Sequence, residues 1–155
     1  MKLGHCMTAL ITPMTESGEV DLTALSNLVE KLIAEGCDGF VVCGTTAEAS
    51  ALTREEKQQV LRCVLKQSDR RVCVWMGCGT NNTAETLDLI RWVNTEPVDG
   101  IMLVCPYYVR PSQQGLYAHF AACARVSEKP LMLYNVPKRS GVALSAETVI
   151  RLAQD

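Results

Sequence analysis

The chain comprises 155 residues, 48% of them hydrophobic, with a formal net charge of -2. That hydrophobic content supports a sizeable core and excludes a disordered chain, while interleaved acids and bases exclude a patch suited to nucleic acid or an anionic membrane. The eight cysteines, Cys6, Cys37, Cys43, Cys63, Cys73, Cys78, Cys105 and Cys123, include no C-x-x-C pair; the spacing fits no zinc site and marks reduced cysteines used as small core hydrophobes.

Lys2 precedes an apolar stretch interrupted by His5, Thr8, Thr12 and Pro13, which fails as a signal peptide or membrane anchor and implies a cytoplasmic protein. A first strand is predicted over residues 6–11. Asp21 caps a helix whose Leu22, Leu25, Leu28, Val29, Leu32 and Ile33 share one face, and Gly36 ends it. An apolar strand over 40–43 opens into Gly44-Thr45-Thr46-Ala47-Glu48. Thr53 and Glu56 have capping-box spacing ahead of Val60, Leu61, Val64 and Leu65. A third strand spans 72–76, and Asn82 with Glu85 begins the helix that carries Leu87, Ile90 and Val93. Strands over 101–105 and 131–136 follow, and Ser112 and Ser145 begin the last two helices.

Unbroken apolar strands imply burial on both faces, as in parallel sheets. The strand-ending landmarks Gly44, Gly77, Pro106 and Pro137 recur at roughly 30 residues, the length of one strand-helix-strand step. Right-handed crossovers then gather Thr12, Thr45, Thr46, Gly79, Tyr108 and Tyr134 at the strand C-terminal ends, where α/β folds keep their chemistry. Two architectures use this pattern: a five-stranded flavodoxin-like open sheet, complete at this length, or an eight-stranded barrel of about 250 residues cut after its fifth unit.

The strand-exit residues have bland readings as well as chemical ones. Thr45 and Thr46 suit a small carboxylate or phosphate, or simply cap a turn; the absence of Gly-Lys-Ser/Thr after Gly44 excludes a nucleotide P-loop. Glu48 is equally a buried network member or a first-turn helix acid. Tyr134 could serve as an acid or base only with its pKa of about 10 lowered or its proton relayed, and Tyr107 and Tyr108 offer a relay or a packed aromatic loop. Arg139 suits a substrate carboxylate or stays solvated. His5 and His119 have neither nucleophile nor metal partner in the pattern and are read as structural.

Together, Ala9-Leu10-Ile11-Thr12-Pro13-Met14, Gly44-Thr45-Thr46-x-Glu48, Pro106-Tyr107-Tyr108, Arg110-Pro111-Ser112 with Gly115-Leu116-Tyr117, and Tyr134-Asn135-Val136-Pro137-x-Arg139 closely resemble the dihydrodipicolinate synthases. These belong to the pyruvate-dependent aldolases, with the N-acetylneuraminate lyases. The resemblance implies an α/β fold, a (β/α)8 TIM barrel truncated after about five βα units, with residues 1–155 as the N-terminal part of one domain. It implies a lyase of lysine and diaminopimelate biosynthesis in which pyruvate forms a Schiff base with a lysine and the enamine attacks L-aspartate 4-semialdehyde. On that mapping Thr45 and Thr46 hold the pyruvate carboxylate, with Thr45 also in the proton relay. Tyr134 gives and takes the proton, Tyr108 completes the relay from a neighbouring subunit, and Arg139 binds the semialdehyde carboxylate. Asn81, Glu85 and Tyr107 match a lysine-effector site, but Arg54 and Lys57 stand where inhibited members carry histidines, so weak lysine inhibition is expected. No metal or organic cofactor is implied; the partners are the two substrates and either further copies, as a family homotetramer, or a complementary C-terminal fragment.

Three departures stand out. Ala47 replaces a family glycine, which matters if that position needs φ > 0. Ser140 replaces a threonine. The Schiff-base lysine, on the sixth strand in the family, lies beyond Asp155. Lys129 is at the wrong end of its strand, Lys138 is in a loop beside Arg139, and the other lysines are N-terminal or helical, so the chain alone is expected to be inactive. Two alternatives remain at this stage: a non-enzymatic flavodoxin-like carboxylate-binding module, and a sugar-acid aldolase of the same superfamily.

Overall fold

The computed structural model describes residues 3–154; Lys2 and Asp155 lie outside the described residues. The chain forms two compact units, Met1–Gly77 with Pro97–Gly100, and Cys78–Glu96 with Ile101–Asp155.

The first unit contains β1 (Met7–Ala9), α1 (Leu22–Ala34), β2 (Gly39–Val42), α2 (Arg54–Ser68) and β3 (Cys73–Gly77). β2 pairs in parallel with β1, Met7 opposite Gly39, and with β3, Val42 opposite Met76. A flavodoxin-like order would put β1 between β2 and β3. The observed order follows the chain, and the flavodoxin-like alternative is thereby excluded.

Helix starts follow their caps. Asp21 Oδ1 accepts from Ala24 N at 2.8 Å, and Thr53 and Glu56 close the capping box, Thr53 N donating to Glu56 Oε2 at 2.8 Å. α1 buries Leu25 and Val29, α2 buries Val60, Leu61 and Val64, and Gly36 at φ 97° releases the chain from α1 toward β2. Gln67 links the two helices, accepting from Ser26 Oγ at 2.7 Å and donating to Glu30 Oε1 at 2.9 Å; Arg71 adds an ion pair to Glu30.

An Asp-Gly pair precedes both β2 and β4. Asp38 accepts from the His5 and Cys6 amides at 2.8 and 2.7 Å, while its own N–H donates to Cys6 O. Asp99 accepts from Val74 N at 2.8 Å, and its N–H donates to Val74 O. The amide hydrogen bonds hold the Asp38 carboxyl below the usual carboxylate range.

The second unit contains α3 (Thr83–Asn94), β4 (Gly100–Val104, whose first residue belongs to the first unit), α4 (Gln113–Val126), β5 (Leu131–Tyr134), α5 (Pro137–Ser140) and α6 (Ala146–Gln154). β4 and β5 are parallel, Val104 opposite Tyr134. Asn82 and Ser112 cap α3 and α4 as predicted. α6 packs on α4 through Arg151, which lies 4.2 Å over the Tyr117 ring and donates to Gln114 Oε1 at 3.3 Å.

Five strands, each followed by a helix, match the predicted α/β pattern. Burial on both faces holds for β2, β3 and β4 but not for β1 or β5, which are half-buried. β1 is also shorter than the predicted 6–11. β5 stops at Tyr134 rather than 136 because the Asn135 side chain turns to Leu144 and Pro137 starts α5, a one-turn helix absent from the prediction. Of the eight thiols, Cys37, Cys43, Cys73, Cys78, Cys105 and Cys123 are buried, Cys63 is intermediate and Cys6 is exposed.

Candidate active site

In the first unit, β2 empties into a sharply bent loop. Cys43 at φ 53° and Glu48 at φ 54° flank a single 3-10 turn over Thr45–Ala47. Left-handed backbone is uncommon outside glycine, and two such residues around one turn mark a strained strand exit. Ala47 is not one of them: its methyl is buried, and the left-handed position falls on Glu48. The replacement of glycine at 47 therefore carries no φ penalty.

The Ala47 carbonyl accepts from the buried Thr12 hydroxyl at 2.9 Å, joining the β1 exit to this turn. Thr45 and Thr46 are exposed, and their hydroxyls have no protein partner among the described residues. They stand ready to donate to an anion. Glu48 fits neither of its predicted roles, being exposed and well ahead of α2.

In the second unit, β4 leads to Pro106 and a tight turn in which Val109 N donates to Tyr107 O at 2.9 Å. With Tyr108 at φ 71°, this i to i+2 bond is that of the strained γ-turn. It projects the Tyr108 side chain into solvent, 87% exposed, with Val109 beside it at 56%. Tyr107 turns inward. Burial raises its phenol pKa, and the nearby Glu85 carboxylate raises it further, so these two effector-site candidates are neighbours. Asn81 is exposed at the approach to α3.

Tyr134 is the last residue of β5 and half-buried. Arg139 lies in the α5 turn that follows, exposed, its guanidinium without a protein partner among the described residues. Ser140 is buried; its hydroxyl lies 2.8 Å from Val142 O and 3.1 Å from Val136 O, bracing that turn. Asn135 clasps Leu144, donating to its carbonyl at 3.2 Å and accepting from its amide at 3.0 Å.

Of the lysines, Lys31, Lys57 and Lys66 lie on helices, Lys129 precedes β5, and Lys138 is exposed on α5. His119 is buried, its Nδ1 2.9 Å from Thr83 Oγ1 and its Nε2 3.9 Å from Cys123 Sγ. Burial pushes the Cys123 thiol up to about 11, which leaves it a poor nucleophile and supports the structural reading of this histidine. Asn135 shapes the strand exit as the sequence suggests, whereas sequence reasoning missed Gln113 as a bracing residue, and Thr80, a buried hydroxyl that accepts from Asn82 N at 3.0 Å and donates to Asn82 O at 2.9 Å.

Parallel strands in chain order, each followed by a helix and bearing polar groups at their exits, define a βα-barrel protein. The chain belongs to the dihydrodipicolinate synthetase family, whose model matches residues 2–155. It is 48% identical over 153 residues to 4-hydroxy-tetrahydrodipicolinate synthase 2 of Halalkalibacterium halodurans, covering 99% of this chain and 52% of that protein. Among solved structures, the chloride-inhibited dihydrodipicolinate synthase from Acinetobacter baumannii, complexed with pyruvate, superposes with a TM-score of 0.96 at 41% identity over 99% of this chain and 53% of its own. The Cyanidioschyzon merolae enzyme with lysine bound superposes at 0.93 with 38% identity, over 97% of this chain and 52% of its own. The chain thus spans about half the length of these relatives and corresponds to part of their barrel.

Proposed function

We propose that this chain carries the substrate-holding half of a dihydrodipicolinate synthase site, as the N-terminal part of a single barrel domain. The observation that carries the reading is Arg139, a guanidinium without a partner among the described residues, one short turn after Tyr134 at the end of β5. A planar guanidinium suits bidentate capture of a carboxylate, here that of L-aspartate 4-semialdehyde, and argues against a sugar-acid aldolase. Thr45 and Thr46 hold the pyruvate carboxylate. Tyr134 transfers protons together with Thr45, and Tyr108, projected away from its own chain, completes the relay in a second copy of a homo-oligomer. Eight cysteines with no disulfide among the described residues suit the reducing cytoplasm.

None of the described lysines sits buried at the exit end of a strand, where an imine-forming amine would be needed. The imine-forming amine falls to the half of the relatives that this chain does not match. There pyruvate and a lysine condense with loss of water, the imine loses a proton to give the enamine, and the enamine carbon attacks the aldehyde. Asn81, Glu85 and Tyr107 form part of a lysine-effector site weakened by Arg54 and Lys57.

The test mixes this chain with the unmatched C-terminal half of the Halalkalibacterium halodurans relative, adds pyruvate and borohydride, and locates any adduct by mass spectrometry. The expected result is an adduct on the added half, enhanced by this chain, and condensation activity sensitive to Arg139→Ala. An adduct on this chain alone, or no enhancement, overturns the reading. Strong inhibition of the mixture by lysine overturns the weakened effector site.

A further inference from the structure

Residues 141–145 run between α5 and α6 without a strand partner, yet their backbone groups are satisfied in strand-like alternation. On one edge, Arg110 Nε donates to Gly141 O at 3.1 Å, Gln113 Nε2 donates to Ala143 O at 2.8 Å, and Gln113 Oε1 accepts from Ser145 N at 3.1 Å. On the other edge, Asn135 takes both polar groups of Leu144. Side chains here do the work of neighbouring strands.

Gln113 Oε1 also accepts from the buried Thr148 hydroxyl at 2.8 Å, tying the start of α6 into the same clasp. The α5 turn is thus anchored at both ends, by β5 before it and by the clasped segment after it. Arg139 sits between those anchors, its N–H donating to Val136 O at 2.9 Å and its guanidinium without a partner among the described residues. The Arg110-Pro111-Ser112-Gln113 stretch gains a purpose in every member but one: Ser112 caps α4 by accepting from Gly115 N at 3.2 Å, and Arg110 and Gln113 reach across to 141–145.

We propose that Arg110 and Gln113 are positioning residues, holding the 141–145 segment so that Arg139 presents its guanidinium to a substrate carboxylate in a set geometry. This rests on the assignment of Arg139 as the carboxylate anchor. Displacements of about 1 Å at such anchors cost up to roughly a hundredfold in productive binding or turnover, so a clasp remote from the ligand governs affinity without touching it.

The experiment uses the full chain with succinic semialdehyde as the probe. Binding is followed by titration calorimetry in the parent and every variant, and amide hydrogen exchange is followed over 139–148. Gln113→Ala and Arg110→Ala are expected to speed exchange at 143–145 by tenfold or more and to weaken probe binding by roughly tenfold, with Arg110→Lys restoring most of both. Arg139→Ala abolishes binding and leaves exchange unchanged. If the clasp variants loosen the segment but bind the probe like the parent, the positioning role is overturned while the anchor stands. If the parent and Arg139→Ala bind alike, the anchor itself is overturned, and the inference with it.

Discussion

The Thr12 hydroxyl donates to the Ala47 carbonyl at 2.9 Å, so the exit of β1 holds the turn that displays Thr45 and Thr46. Thr12→Val keeps the shape and removes the donor, leaving a buried carbonyl unsatisfied. The expected loss is about 1–3 kcal/mol of unfolding free energy, measured by urea denaturation, with faster exchange at the Ala47 and Glu48 amides. Unchanged exchange at both would show that the turn stands without Thr12.

Gly77, the last residue of β3, lies against the Cys43 backbone, and a Cβ there would overlap the Cys43 carbonyl oxygen. Cys43 is itself left-handed, so the carbonyl has little freedom to withdraw. Gly77→Ala is expected to cost about 1–3 kcal/mol, the range for overpacking. A melting temperature within a degree of the parent's would contradict this.

Tyr108 combines a backbone that favours glycine with a side chain almost wholly in solvent. Tyr108→Gly should therefore stabilise the isolated chain by about 1 kcal/mol through relief of the left-handed φ, while removing the phenol assigned to the relay. A stabilised chain that no longer supports condensation in the half-barrel mixture would separate strain kept for function from strain of no consequence. Destabilisation would show that the phenol packs at home.

These positions show what a linear reading can and cannot reach. Thr45, Thr46, Tyr134 and Arg139 were legible because each follows an unbroken apolar run, and a strand exit is a place that sequence marks. Helix starts were legible for the same reason: Asp21, Thr53, Asn82 and Ser112 act on amides two or three residues away. Gln113 was not, since its partners lie about 30 residues along the chain in a loop whose course no periodicity predicts. The burial of β1 and β5 was overestimated because an apolar run records what a strand is able to bury, not how many neighbours it has. The left-handed residues Cys43, Tyr108 and Arg110 gave no warning, being types that rarely adopt that conformation.

Burial lowers the His119 pKa below its usual 6.5. The unfolded chain therefore takes up a proton, as pH falls through about 6.5, that the folded chain still refuses. The stability contributed by the neutral imidazole is complete above that pH and is lost as pH falls toward the lowered native value. Melting temperatures between pH 7.5 and 5 should fall for the parent and fall less for His119→Gln, which retains a partner for Thr83. Parallel curves would remove His119 as the cause.

Asp38 and Asp99 place a carboxylate clasp ahead of alternate strands, Asp38 reaching back to the two amides just before β1 and Asp99 to the Val74 amide within β3. These two clasps join the chain just before β1 to the approach to β2, and β3 to the approach to β4. A division falling between α2 and β3 leaves both carboxylate clasps whole, whereas one falling between α1 and β2 parts Asp38 from both of its amides. Dissection or recombination of this sequence therefore keeps each carboxylate with its amides, Asp38 with His5 and Cys6 and Asp99 with Val74.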